Sequence, residues 1–205
     1  NEIAPFVVQN DSLGRYPHKA IQALAETGLL KCAVPSDLGG PGFSQLFSLE
    51  AQVRIARVDS AVAQIFKVHD ELVREIPYYT DQKQRERFAE LILHESAVIG
   101  LAVAEAGRTA EEPLKTIASD QGDGTFLIDG EKIYTTGAAG ADYIATWTFD
   151  PKQASAENPL LGFQLFLIPR KTTGIKVHED WDALGQRATD SGKVTFNQVR
   201  CESFW

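Results

Sequence analysis

The 205-residue chain contains no methionine, only two cysteines, and fewer basic than acidic side chains. A chain that begins at Asn1 and ends at Trp205 without one Met is expected to be a fragment or a processed product. Cys32 and Cys201 are far apart, and two lone thiols fit a reducing, cytoplasmic setting better than a disulfide framework. Lys and Arg number 20 against 28 Asp and Glu, a net charge of −8. Phosphate affinity needs surplus cations, so neither nucleic acid nor an anionic membrane is an expected partner. No run approaches the roughly 20 apolar residues of a membrane span, and no signal-peptide pattern opens the chain. GxGxxG and P-loop motifs are missing, which removes a Rossmann or NTPase reading, and no GxSxG elbow offers a nucleophile. His18, His69 and His94 stand at no metal-ligand spacing with cysteines or carboxylates.

What is present divides by period. With 43% hydrophobic and 23% charged residues, the composition is that of a globular protein of one large or two small domains. From about residue 17 to 96 apolar residues recur at threes and fours. Pro17 is placed to open a helix carrying Ile21, Leu24, Ala25 and Leu29, with Gly28 near its end. After the loop "VPSDLGGPG" (34–42) a helix is expected over about 44–57. Asp59 or Ser60 can cap another running to about Ile76, where Pro77 should stop it. A fourth, "DQKQRERFAELILHE" (81–95), places Phe88, Leu91 and Ile92 on one face. After about residue 97 the period becomes two. "TFLIDGEKIYTTG" (125–137) reads as strand, Asp-Gly turn, strand. Further strands are expected in 141–149, 163–169, 175–180 and 193–199, and 150–159 reads as an exposed loop. Helices first and strands second predict an α+β fold, with an all-helical unit over 1–96 and a second unit over 97–205.

Three places could carry chemistry. His69 lies on the stripe Val62, Ile65, His69, Leu72 and Ile76, which should be buried. It is either a core histidine satisfied by a hydrogen bond or a proton donor at the floor of a pocket. "AVAEAGRTAEE" (102–112) runs from a strand into a small-residue turn whose backbone N–H groups could approach a flat or anionic ligand. "IYTTGAAGAD" (133–142) sets an aromatic, two hydroxyls and glycines together, which suits a planar heterocycle or a barrel corner.

Several stretches in combination resemble the acyl-CoA dehydrogenase superfamily of flavoproteins: "ALAETGLLKCAVPSDLGGPG", "LAVAEAGR", "IDGEKIYTTGAAGADYIATW" and "IKVHEDWDALGQRATDSGKVTFNQVR". The resemblance covers nearly the whole chain. "DWDALGQRATDSG" and "FKVHDEL" look more like the branch of dibenzothiophene monooxygenases and sulfur-acquisition oxidoreductases. The resemblance implies a helical N-terminal domain followed by a middle β-barrel that binds flavin, FAD or FMN. The family's C-terminal helical domain is expected to be absent from this chain, with Trp205 at the crossing into it. It implies a reduced-flavin-dependent monooxygenase acting on a small sulfur- or nitrogen-containing molecule, fed by a separate flavin reductase and homo-oligomeric at full length. An acyl-CoA dehydrogenase and a non-catalytic fragment lacking a complete flavin site are the rival readings.

By the same resemblance His69 is the catalytic donor facing the flavin. Val103, Ala104, Glu105 and Gly107 hold the pyrimidine side, Tyr134 packs on the ring, and Thr135, Thr136 and Gly137 form the second flavin loop. Ala104-Glu105-Ala106 stands where the family has Thr-Glu-Pro, so a threonine hydroxyl is missing. Ala110 and Glu111 stand where Ser and Asp would meet substrate, which weakens the acyl-CoA signature.

Overall fold

The computed structural model describes residues 3–155 and 157–202; Trp205, expected at a domain crossing, lies outside the described residues. Helix α1 (Val7–Leu13) ends at Gly14, and α2 (His18–Glu26) follows directly on Pro17. Gly28 turns the chain with φ 77° into a short 3-10 turn that contains Leu29. Helix α3 (Gln45–Ala56) is capped by Ser44, whose hydroxyl accepts from the Phe47 amide. Helix α4 (Ser60–Tyr79) is capped by Asp59, whose carboxylate accepts from the amides of Ala61 and Val62 at 2.9 and 3.1 Å. Helix α5 (Gln82–Leu93) opens on a capping box between Asp81 and Gln84.

Pro77 does not stop α4. It lies in the last turn, where the missing N–H forfeits a single bond, and the helix runs on to Tyr79. Thr80, in extended backbone, ends it, and its hydroxyl donates to Ile76 O at 3.0 Å.

Among the described residues seven strands make one sheet: β1 (Ile99–Ala102), β2 (Ile117–Asp120), β3 (Thr125–Lys132), β4 (Tyr143–Phe149), β5 (Phe163–Pro169), β6 (Ile175–Val177) and β7 (Val194–Glu202). The order is β1-β4-β2-β3-β7-β6, with β5 on the other side of β4. Among the described residues the path does not close, so the sheet is a curled half-barrel. Strand β1 runs parallel to β4, and the remaining long pairings are antiparallel.

The expected hairpin at Asp129-Gly130 is corrected. Strand β3 passes straight through both residues, and they form a bulge against β7. Gly130 has φ 150°, and a Cβ there would sit 2.6 Å from Thr116 Cα, so no other residue fits. The hairpin lies earlier, at Asp123-Gly124, joining β3 to β2, a strand the sequence reading did not anticipate. There Gly122 and Gly124 take φ 77° and 82°, and Asp120 and Asp123 carboxylates accept from the amides of Gly122 and Thr125.

Two apolar clusters place the helices on the sheet. One is mainly helical, with Ile21, Leu24, Leu30, Val62, Ile65 and Phe66. The other joins Val68, Leu72, Phe88 and Ile92 to Ile99, Ala145 and Leu167 of β1, β4 and β5. A third fills the curl of the sheet with Ile128, Ile144, Phe166, Phe196 and Val199. Fixing β1 between α4 and β4 determines where the segment after β1 leaves the sheet.

Candidate functional site

Beyond Ala102 the chain leaves β1 as an exposed loop in which Val103, Ala104, Ala106 and Gly107 are open to solvent. Glu105 alone turns in. Its side chain is 2% exposed and meets the wholly buried Lys132 at 2.7 Å. The same carboxylate accepts from the amides of Lys115 and Thr116 at 2.6 and 2.8 Å. Burial would raise the Glu105 pKa, but the hydrogen bonds from Lys132 and these two residues outweigh it and hold the group below the usual carboxylate range. Glu105 is thus an internal strut, and its side chain is not available to a ligand.

The carbonyls of this loop are also held by donors. Lys132 Nζ donates to Val103 O at 3.2 Å, and the Ile133 amide donates to Ala104 O at 2.9 Å. Lys115 Nζ donates to Ala106 O and Gly107 O at 3.1 and 3.4 Å. A trans peptide points its N–H opposite to its C=O. The amides of Ala104 and Gly107 therefore point away from the lysines, and among the described residues neither finds an acceptor. Unpaired amides of this kind can receive an acceptor.

The second loop lies alongside. Ile133 N to Ala104 O and Leu101 N to Thr136 O, 2.9 and 3.1 Å, run the two segments past each other. Tyr134 takes a left-handed φ of 55° and is 65% exposed, so its ring stands clear of the surface. Thr135 is buried, with its amide donating to Gly192 O at 3.2 Å and its hydroxyl bonded to the same oxygen. Thr136 is half-buried, its hydroxyl 3.1 Å from Ser191 Oγ, which is 2.7 Å from Thr189 Oγ1. Gly137 has φ 81°, and the following Ala138 comes so near β1 that a Cβ on Gly100 would be 2.8 Å from its nitrogen.

A third segment joins them, which the site expectations had omitted. Trp181 meets Tyr134 edge to face with centroids 6.0 Å apart, and its indole N–H donates to Gln186 O at 3.2 Å. Arg187 donates to Ala183 O at 3.2 Å and to Asp11 O at 3.0 Å. Asp190, at φ 47°, accepts from the Tyr16 amide at 3.3 Å, and burial raises its carboxyl pKa. The signal for this segment was the crowding of an aromatic, a cation and small hydroxyls in "DWDALGQRATDSG".

His69 is not part of this surface. Its ring is wholly enclosed, with Nε2 2.8 Å from Leu30 O and Nδ1 accepting from the Ile99 amide at 3.1 Å. Only the neutral ring with its proton on Nε2 satisfies both neighbours. Burial lowers its pKa, with the Leu30 bond and the nearby Asp70 and Asp142 offsetting only part. As placed, the ring has no free N–H to offer a ligand. The expectation of a donor facing the cofactor gives way to a bridge between a helical turn and the start of β1.

Ala110 and Glu111 stand on an exposed turn held by its own bonds, Arg108 Nε to Glu112 O and Thr109 N to Glu112 Oε2, each 2.9 Å. None of these bonds reaches Tyr134 or Thr136. The loops form an open platform. A cavity of about 380 Å³ lies between α3 and α4, beside Ser48, Asp70 and Arg74. Another of about 360 Å³ lies between α4 and the β4–β5 pair. Neither is lined by the loop residues. Among the described residues no cluster of three or more His, Cys, Asp or Glu could hold a metal, and no helix is long and apolar enough to cross a membrane.

Comparison with known proteins accounts for nearly all of the chain. A family model described as "Acyl-CoA dehydrogenase, N-terminal domain" matches residues 1–95, and one described as "Acyl-CoA dehydrogenase, middle domain" matches residues 100–199. A probable FMNH2-dependent monooxygenase, SfnC of Pseudomonas putida, is 30% identical over 98% of this chain and 48% of its own length. A putative acyl-CoA dehydrogenase, YdbM of Bacillus subtilis, is 28% identical over 97% of this chain and 51% of its own. The crystal structure of FMN-bound TdsC from Paenibacillus sp. A11-2 superposes with a TM-score of 0.87 at 27% identity, covering 98% of this chain and 49% of that one. The chain spans about half the length of the curated relatives it matches.

Proposed function

The chain belongs to the acyl-CoA dehydrogenase family, and from that premise we propose that it carries the flavin platform of a reduced-flavin-dependent monooxygenase acting on a small sulfur- or nitrogen-containing organic molecule. The observation that carries this is the pairing of the two loops. The first loop, with its unpaired Ala104 and Gly107 amides, is bonded through Leu101 N and Ala104 O to the segment that carries Tyr134 and Thr136, which fits a planar ring with hydrogen-bond acceptors along one edge. FMN suits this reading, because SfnC is named for FMNH2 and the TdsC structure holds FMN.

Bound reduced flavin would supply the two electrons that let O₂ deliver one oxygen atom to substrate and release the other as water. The residues of this chain bind and orient. The unpaired amides of Ala104 and Gly107 would hold the acceptor-rich edge, the exposed Tyr134 ring would cover one face, and the Thr136 hydroxyl, set by Ser191, would meet another edge. Trp181 walls the Tyr134 side and limits water there. His69 acts through the backbone, by holding Ile99 and so the start of the strand that presents the first loop. In this reading residues 1–96 are the helical domain and 97–205 the flavin-binding domain. A separate flavin reductase supplies the reduced cofactor, the full-length protein is a homo-oligomer, and it works in the cytoplasm.

The test titrates the protein with FMN and FAD by visible absorption, then measures O₂ uptake with supplied reduced FMN. Saturable FMN binding supports the reading. No binding of either flavin up to about 1 mM refutes it in favour of a non-catalytic module. Anaerobic bleaching of bound flavin by an acyl-CoA would favour the dehydrogenase alternative.

A further inference from the structure

We propose that Lys115 and the buried Glu105–Lys132 pair are positioning residues that set the polarity of the 103–108 loop, and that they thereby bias this site toward reduced over oxidised flavin. The inference rests on the flavin reading above and adds which residues tune the site and for which form of the cofactor.

The loop is short and rich in small residues, and nothing in Ala104, Ala106 or Gly107 dictates which way its peptides face. That choice is made from behind. Four carbonyls are held by three donors: Lys132 Nζ on Val103 O, Ile133 N on Ala104 O, and Lys115 Nζ on both Ala106 O and Gly107 O. Two of the three are cations, and charge-assisted bonds are the stronger kind. Glu105 locks the arrangement. Its carboxylate holds Lys132 Nζ while accepting from the backbone amides of Lys115 and Thr116. The lysine that holds Val103 and the residue that holds Ala106 and Gly107 are therefore fastened to one buried anion.

With the carbonyls fixed, the amides of Ala104 and Gly107 present partial positive charge on the side away from the lysines. Oxidised flavin brings neutral carbonyl acceptors to such donors. Reduced flavin brings an electron-rich pyrimidine edge that readily carries negative charge, and preorganised N–H donors favour the more negative partner. Were the peptides free to turn, carbonyl oxygens would face that edge and repel it. Neither lysine needs to touch the ligand to exert this preference.

The experiment measures FMN affinity anaerobically in the oxidised and the dithionite-reduced state, for the wild-type chain, Lys115→Met, Lys115→Arg and the double variant Glu105→Gln/Lys132→Met. Wild type should bind reduced FMN at least about tenfold more tightly. Lys115→Met should cut that ratio about two- to tenfold, the worth of one or two hydrogen bonds, and Lys115→Arg should restore it. The loss should persist at about 0.5 M salt, where the direct pull of an exposed charge is screened. The double variant should move the ratio in the same direction. Because the Lys115 side chain is exposed, Lys115→Met carries the test even if the double variant fails to fold. Equal affinities in wild type, an unchanged ratio in Lys115→Met, or an effect that vanishes at high salt would each overturn the proposal. Absence of flavin binding in either state would instead sink the flavin reading, and this inference with it.

Discussion

Replacing His69 by alanine removes a ring that is wholly enclosed and strips two buried backbone groups of their partners, Leu30 O and the Ile99 amide. Each orphaned group costs about 1–3 kcal/mol, and the void left by the ring adds about 2 kcal/mol or more. A loss of about 4 kcal/mol or more is expected, against a total stability of roughly 5–15 kcal/mol for a domain. His69→Gln should cost about half as much, because its amide nitrogen can still reach Leu30 O while Ile99 N loses its acceptor. Urea denaturation followed by tryptophan fluorescence measures both. The pH dependence supplies a second check. Burial holds the folded pKa below 6.5, so in acid the unfolded chain takes a proton that the folded ring refuses. Stability then falls as pH drops through about 6.5, by up to about 1.4 kcal/mol per pH unit from this residue, until the folded pKa is reached. Above about pH 7.5 the contribution is flat. Subtracting the His69→Gln profile from wild type should isolate that slope. A His69→Ala protein within about 1 kcal/mol of wild type, or identical pH profiles, would refute the bridging role and return His69 to the list of catalytic donors.

Other expectations follow from the same contacts. Lys132→Met alone strands the Glu105 carboxylate in a site where its side chain is 2% exposed, which should cost about 3–5 kcal/mol. Adding Glu105→Gln should recover most of it, and additive losses in thermal melts would count against a coupled pair. Gly100→Ala puts a Cβ 2.8 Å from Ala138 N and 3.0 Å from Gly137 C. Both are backbone atoms, so the second loop must shift, costing about 1–3 kcal/mol and weakening FMN binding; unchanged affinity would show that the loop position is not critical. Arg187→Ala releases Asp11 O and Ala183 O and should free the first 16 residues to limited proteolysis, at a cost of about 1–2 kcal/mol. An unchanged cleavage pattern would mean that Tyr16 and Asp190 suffice to hold that segment.

Much of the architecture could be read from neighbours along the chain. Ser44, Asp59 and Asp81 mark helix starts because a cap needs only the amides two or three residues on. The buried stripe on α4, His69 included, follows from the period of 3.6. Local signals failed where two sites offered the same chemistry. Asp123-Gly124 and Asp129-Gly130 are equally good turn formers, and pairing of β3 with β7 decided that the second is a bulge. Pro77 failed as a stop signal because a proline perturbs only the turn before it, so the two residues that follow can stay helical.

The sequence by itself determined most of the elements, their order, the family to which they belong and which residue types are available for binding. Tertiary structure decided which way each of them faces. His69 and its partners lie 39 and 30 residues apart, Glu105 and Lys132 27, and Thr135 and Gly192 57. At those separations no periodicity or propensity says whether a carboxylate turns inward or a carbonyl outward. That depends on the desolvation cost of leaving a polar group unpaired, which is set only when the distant partner arrives.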